Sequence, residues 1–282
     1  MAQSHTGPLG PILTAHLLPK IDGLLIELLR SLESHDWEAP TAARQWKVKD
    51  VAAHLLDTQL RKLSMVRDGY VDEAPVICSP GDLVALIDRL NQQGVQVYRR
   101  LSPQVLICMM EEASRQSAEF HRSLDPFAPA AFAVSWAGET TSPNWFDTAR
   151  ELTERWHHQQ QIRVAVDRPG IMTPEFYHPV LDCFMRALPF TYRDVAADPG
   201  TLLQFHISGD SGGTWFLSRD DSSWRLVPDP RQRATSRVII PQEIAWLIFT
   251  KGMGRASASA QVQVDGDREL GLHILGMTAI VG

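Results

Sequence analysis

Ten histidines stand in this chain of 282 residues, and helical-wheel placement separates two of them, with one glutamate, from the rest. Over residues 48–63, Val48, Ala52, Leu55, Leu56, Leu60 and Leu63 mark one apolar face, whereas His54 lines up with Asp50, Asp57, Thr58 and Arg61 beside Val51. Over residues 143–166, Trp145, Ala149, Leu152 and Trp156 define the apolar side, and Glu154, His158, Gln161 and Ala165 form a polar stripe. Glu154 and His158 are four apart, so both side chains can reach one ion. Two neutral imidazoles and a carboxylate are the ligand set of a catalytic zinc whose fourth position stays open to water or substrate. The same spacing also describes a solvated Glu/His pair on a helix face. His157, three residues after Glu154, opens a further reading as half of a di-iron site, which wants a second such pair from another helix; the sequence offers no convincing second copy.

Helices must carry these stripes. Ile21, Leu24, Leu25, Leu28 and Leu32 recur at helical spacing after Pro19, and helical spacing returns over about 48–66. Ser79-Pro80 and Ser102-Pro103 each supply an N-cap with proline behind it, which predicts helices to about residues 100 and 124. A connector at 127–141 holds room for a short strand around 132–136. Ser142-Pro143 starts a long helix to about 166, and Thr173-Pro174 another to about 193. From Thr201 the pattern becomes short β-rich runs at 202–207, 214–218, 224–227, 238–240 and 260–264, with a helix over 241–250 among them. Residues 270–280 read as helix or strand. The expected class is α+β, a helical domain over 12–195 followed by an α+β domain over 200–282, with the boundary at Asp198-Pro199-Gly200.

Composition narrows the function. Hydrophobic residues make up 44% and charged residues 21%, and the formal charge is -6, which leaves no basic footprint for nucleic acid. The longest apolar runs fall short of the roughly 20 residues of a membrane span, and residues 1–11 do not read as a secretion signal, so a cytoplasmic location without a membrane partner is expected. Cys78, Cys108 and Cys183 are too far apart for a redox pair; Cys108 and Cys183 sit among apolar neighbours and read as core thiols.

Trp37-Glu38-Ala39-Pro40-Thr41, then Trp46-Lys47-Val48-Lys49-Asp50-Val51-Ala52-Ala53-His54-Leu55, resembles the mycothiol-dependent maleylpyruvate isomerase family, and Glu151-Leu152-Thr153-Glu154-Arg155-Trp156-His157-His158 continues the resemblance. It implies an up-down-down-up DinB-like helical bundle binding a divalent metal, usually zinc, on His54, Glu154 and His158. It implies a second, sterol-carrier-like α+β domain, matched by Ile240-Pro241-Gln242-Glu243-Ile244-Ala245-Trp246-Leu247 and Val264-Asp265-Gly266-Asp267-Arg268-Glu269-Leu270. The resemblance spans about residues 13–280. One departure is Gln161, where the family often has an acidic residue.

The chemistry so implied is activation of a low-molecular-weight thiol, mycothiol or similar, as cosubstrate for cis-trans isomerisation of a small electrophile or for S-transfer onto it. Thr58, Arg61 and Gln161 follow the ligands by one or two helical turns and are expected on the site's walls: Thr58 toward the thiol, Arg61 toward a substrate carboxylate, Gln161 toward a ligand or the substrate. A lone helix arginine such as Arg61 also reads as a salt-bridge partner. The chain is expected to be a monomer or homodimer. Two rival functions remain, a hydrophobic-ligand carrier lined by Trp215, Phe216, Trp224, Trp246 and Phe249, and a metal-binding regulator without turnover.

Overall fold

Ser79 and Ser102 act as their positions dictate. Each hydroxyl accepts a backbone N–H three residues on, from Asp82 at 3.2 Å and Val105 at 3.3 Å, satisfying one of the donors that a helix start leaves bare. These caps open α3 (Pro80–Tyr98) and α4 (Pro103–Ser123), which follow α1 (Leu18–Arg30) and α2 (Val48–Lys62). The computed structural model describes residues 9–43, 45–71, 79–230 and 232–280; Cys78 lies outside them. Past its last α-helical turn, α2 continues as a π-helical turn over Leu63–Arg67. Then come α5 (Asn144–Ala165), α6 (Pro174–Met185) and α7 (Leu188–Tyr192). The expected helix from Pro174 to near Arg193 is thus two: Pro189 has no N–H to give the Met185 carbonyl, and the chain re-forms one turn later.

The second half is a five-stranded mixed sheet ordered β3-β2-β1-β4-β5, built from β1 (Leu202–Ser208), β2 (Gly213–Arg219), β3 (Trp224–Val227), β4 (Ser236–Pro241) and β5 (Gln263–Gly266). β1 pairs antiparallel with β2, placing Phe205 opposite Trp215, and parallel with β4, placing Phe205 opposite Val238. Leu203, Phe205 and Ile207 alternate into the core, as do Trp215 and Leu217 on β2 and Val238 and Ile240 on β4, the period of two that a half-buried sheet requires. Each such side chain contributes about 1.5–3 kcal/mol on burial. Helices α8 (Gln242–Phe249), α9 (Arg255–Ser259) and α10 (Arg268–Leu272) complete the chain. The chain is α+β, helices first and the sheet after.

Three local expectations change. Residues 132–136 form no strand: the Val134 N–H goes to Ser142 Oγ at 2.9 Å, and a 3-10 turn at Ser135–Ala137 closes on Gly138 at φ +82°, a conformation that suits glycine. The strand expected from 260 starts at Gln263, because the Ala/Ser run before it coils as α9. The ambiguous C-terminal segment is helical as far as Gly276, with Asp267 capping α10 by accepting the Leu270 N–H at 3.0 Å, and 277–280 have no regular structure.

Secondary structure changes type between Tyr192 and Leu202, on the Asp198-Pro199-Gly200 stretch. By compactness the residues group differently, as Ala15–Asp125 with Glu154–Ile171, and Pro126–Thr153 with Met172–Ile280 and the residues up to Thr14. Within the first group, Leu25, Leu28 and Leu29 of α1, Val51, Ala52, Leu55 and Leu56 of α2, Leu106 and Met110 of α4, and Ile162 of α5 form one apolar core. Within the second, the Tyr177 hydroxyl donates to the Gln242 carbonyl at 2.7 Å, and the Trp215 indole donates to Asp182 at 2.8 Å. Trp215, Trp224, Trp246 and Phe249 are buried there, the usual fate of aromatics at strand and helix spacing. No helix of the described residues is long and apolar enough to cross a membrane.

Candidate metal centre

The position of His54 follows from how α2 begins. The backbone of Val48 donates to the Ala39 carbonyl at 3.0 Å, and the Lys47 N–H donates to Asp50 Oδ2 at 3.2 Å, so the carboxylate closes the first turn and faces the positive helix end. Asp50 is also 3.2 Å from Arg99. One turn later His54 is 3% exposed. The stripe that the wheel separated from the core face is therefore itself covered at this level, since Val48 and every residue from Asp50 to Leu56 are buried.

Helix α5 brings the other two residues. Arg155 donates to the Asp22 carboxylate of α1 and, at 2.7 Å, to the Ser117 hydroxyl of α4. Arg163 donates to the Leu24 carbonyl at 3.1 Å, and the Trp156 indole to the Ile171 carbonyl at 2.8 Å. These bonds fix the rotation of α5 about its axis. The four-residue spacing then sets Glu154 Oε2 3.4 Å from His158 Nε2, with the side chains 24% and 9% exposed. The alternative of a solvated Glu/His pair does not describe a histidine buried this deeply.

One ligand atom each from His54, Glu154 and His158 lies within 4.8 Å of the others. The two imidazoles meet edge to face at 4.5 Å between ring centroids. Ligand atoms around a tetrahedral zinc stand about 3.4 Å apart, given bonds of about 2.1 Å, so the Glu154–His158 separation already has that value. His54 Nδ1 is buried with no hydrogen-bond partner, a state that costs about 1–3 kcal/mol unless something accepts it. Burial pushes the His54 pKa well below the usual imidazole value, and neighbouring His158 adds to this while Glu154 opposes it. A neutral imidazole with a spare lone pair is what a metal requires. The residues present fit a divalent cation.

The wall residues separate. Gln161 is buried, and its Oε1 stands 2.9 Å from His158 Nδ1. Thr58, half-buried one turn beyond His54, donates its hydroxyl to the Leu55 carbonyl at 3.1 Å. Arg61 pairs with Asp57 at 3.1 Å and donates to Asn91 at 2.8 Å, so the salt-bridge reading of this arginine describes its contacts, although its charge still acts on His54. Sequence reasoning missed Trp46 as part of the site. Its ring centroid lies 4.8 Å from that of His54 and 6.1 Å from that of His158. A short loop holds it: Pro40 bridges to Lys47, the Thr41 hydroxyl donates to the Trp46 carbonyl at 2.7 Å, and the Trp46 N–H donates to the Ala43 carbonyl at 2.7 Å. Its place eight residues before His54, in the first quoted motif, was the available signal.

The family profile described as the mycothiol maleylpyruvate isomerase N-terminal domain matches residues 18–163, the stretch that holds His54, Glu154 and His158. The chain belongs to that family. Among solved structures, a histidine-to-alanine mutant of the mycothiol-dependent maleylpyruvate isomerase is similar with a TM-score of 0.52 at 12% identity, covering 90% of this chain and 93% of that one. The mycothiol-dependent maleylpyruvate isomerase gives a TM-score of 0.48, 12% identity, and coverage of 84% of this chain and 88% of its own. At that identity the first likeness speaks for the fold of this family member. No curated protein matches it in sequence.

Proposed function

We propose that the protein is a metal-dependent enzyme that activates a low-molecular-weight thiol, mycothiol or a similar one, and uses it to isomerise a small electrophile or to transfer the sulfur to it. The observation that carries this reading is the buried convergence of His54, Glu154 and His158, with an unpartnered imidazole nitrogen. A divalent ion bound there, zinc by the donor set, supplies a Lewis acid that lowers the pKa of a thiol. The chain's own residues do the rest. His54 and His158 would each supply an imidazole lone pair and Glu154 one negative charge, which would leave a divalent ion able to take an anionic partner. Trp46 covers the two imidazoles and keeps water from them. Glu154 is the most exposed of the three, and a thiol is proposed to approach from its side. Thr58 is proposed to face the thiol, and Arg61 has guanidinium N–H groups beyond those given to Asp57 and Asn91 with which to meet a carboxylate.

In isomerisation the thiolate sulfur bonds to one alkene carbon of a cis-enone, and the π electrons move to the carbonyl oxygen. Rotation follows about what is now a single bond. Return of the electrons expels the thiolate and leaves the trans product. Transfer stops after the first step, with a proton added to carbon. Trp215, Trp224, Trp246 and Phe249 are packed core residues, which favours this reading over a carrier lined by them. The test is metal content and thiol-dependent turnover in wild type and His158→Ala. Wild type is expected to hold about one divalent ion and to isomerise a cis-enone acid, such as maleylpyruvate, only with mycothiol present, with both properties lost in the variant. Equal metal content in the two proteins would overturn it.

A further inference from the structure

We infer that Gln161 is a positioning residue that fixes which nitrogen of His158 meets the metal, and that it does so without adding charge. The inference rests on the metal reading above and goes one bond further out. His158 has two ring nitrogens with different neighbours: Nε2 faces Glu154 Oε2 at 3.4 Å, and Nδ1 faces Gln161 Oε1 at 2.9 Å. A neutral imidazole carries one proton, and an amide oxygen only accepts. Nδ1 therefore holds the proton and donates it to Gln161, and the Nε2 lone pair points toward the carboxylate with which it would share an ion. Both members of the hydrogen bond are buried, so water does not compete for the Nδ1 proton, and the alternative tautomer would leave two acceptors facing each other.

Charge is the second consequence. Two neutral imidazoles and one carboxylate leave a divalent ion with a net charge of +1. A carboxylate at position 161 would hold the same proton but cancel that charge from outside the ligand set. The amide keeps it, so the centre is set to prefer an anionic fourth ligand, a thiolate over a neutral thiol.

Zinc affinity by chelator competition in wild type, Gln161→Leu, Gln161→Glu and His158→Ala tests both halves, with the melting temperature of each metal-free protein as the control for packing. Leucine fills the site without accepting a proton, and is expected to weaken zinc binding about 10–100-fold while leaving the metal-free protein folded. Glutamate is expected to restore zinc affinity to the wild-type level or above, and to weaken binding of 2-mercaptoethanol to the cobalt-substituted protein by roughly tenfold. Wild-type zinc affinity in Gln161→Leu, or weak zinc binding in both Gln161 variants, would overturn the positioning role; undiminished 2-mercaptoethanol binding in Gln161→Glu would overturn the charge role. If His158→Ala binds zinc as wild type does, the metal reading itself fails and takes this inference with it. Nitrogen-15 shifts of His158 in the zinc-loaded wild type need no variant: a proton on Nδ1 is expected, and one on Nε2 would refute the assignment.

Discussion

Removing the Arg155 cation leaves an anion where no water reaches it. Arg155 and Asp22 are each 2% exposed, and the guanidinium joins the Asp22 carboxylate to the Ser117 hydroxyl across three helices. Arg155→Met keeps most of the volume and takes the guanidinium away from the buried Asp22 carboxylate, which is expected to cost about 3–5 kcal/mol. At a urea slope of about 3 kcal/mol/M, that moves the unfolding midpoint down by roughly 1–1.7 M. The double variant Asp22→Leu/Arg155→Met removes both charges and is expected to recover to within about 1–2 kcal/mol of wild type or to exceed it, because a well-packed apolar replacement avoids the desolvation of both ions. Urea titrations followed by circular dichroism and tryptophan fluorescence on the four proteins of the cycle give the coupling directly. A loss under about 1 kcal/mol in Arg155→Met, or a double variant no better than the single, would show that the pair is not desolvated as described.

Three further outcomes are expected. A Cβ at Gly94 of α3 would stand 2.2 Å from Asp57 Cγ, so Gly94→Ala should lower stability by about 1–3 kcal/mol in a thermal melt, instead of the gain of about 1 kcal/mol usual in a helix; a gain would show that Asp57 and its Arg61 partner move aside freely. Burial pushes the phenols of Tyr177 and Tyr192 well above their usual range, so the stability they contribute is present below about pH 10 and lost as pH rises beyond it, where the unfolded chain ionises more readily. A tyrosinate absorbance titration should find these two ionising only together with loss of helical signal. Burial likewise raises the Cys183 thiol, whereas Cys108, read from its apolar neighbours as a core thiol, is exposed; peptide mapping after iodoacetamide at mild alkaline pH should find Cys108 labelled and Cys183 untouched until denaturant is added.

Much of this was legible in one dimension. Serine before proline at 79 and 102 announced two helix starts that the hydroxyls do make, and the helical wheel grouped His54 apart from the leucines and Glu154 with His158. A wheel says which residues share a face, not what that face meets. The stripes of α2 and α5 therefore read equally well as solvated, and only their burial distinguishes the two. Trp46 stands in the motif eight residues before His54, but no helical period places it, because a loop carries it to the histidines. Residues 132–136 have the side chains of a strand, yet strand formation needs a partner, which sequence alone does not supply. The partner of Gln161 is three residues away on the same helix, so its contact with His158 could have been drawn from spacing, but its direction along the ring could not.

The short outer strands of the sheet bear on how copies of this protein behave when crowded. β3 and β5, the two ends of the order, are four residues each, and they carry exposed Arg225 on one side and exposed Gln263 and Asp265 on the other. A neighbouring chain seeking to extend the ladder would find few free backbone groups and a charge to desolvate at either end, the arrangement by which β proteins resist edge-to-edge aggregation. Self-association of this protein, where it occurs, is therefore expected to run through side-chain surfaces instead of a shared sheet, and the longer, apolar β1 and β4 are sealed in the middle of the sheet, where they cannot seed fibrils while it stays folded.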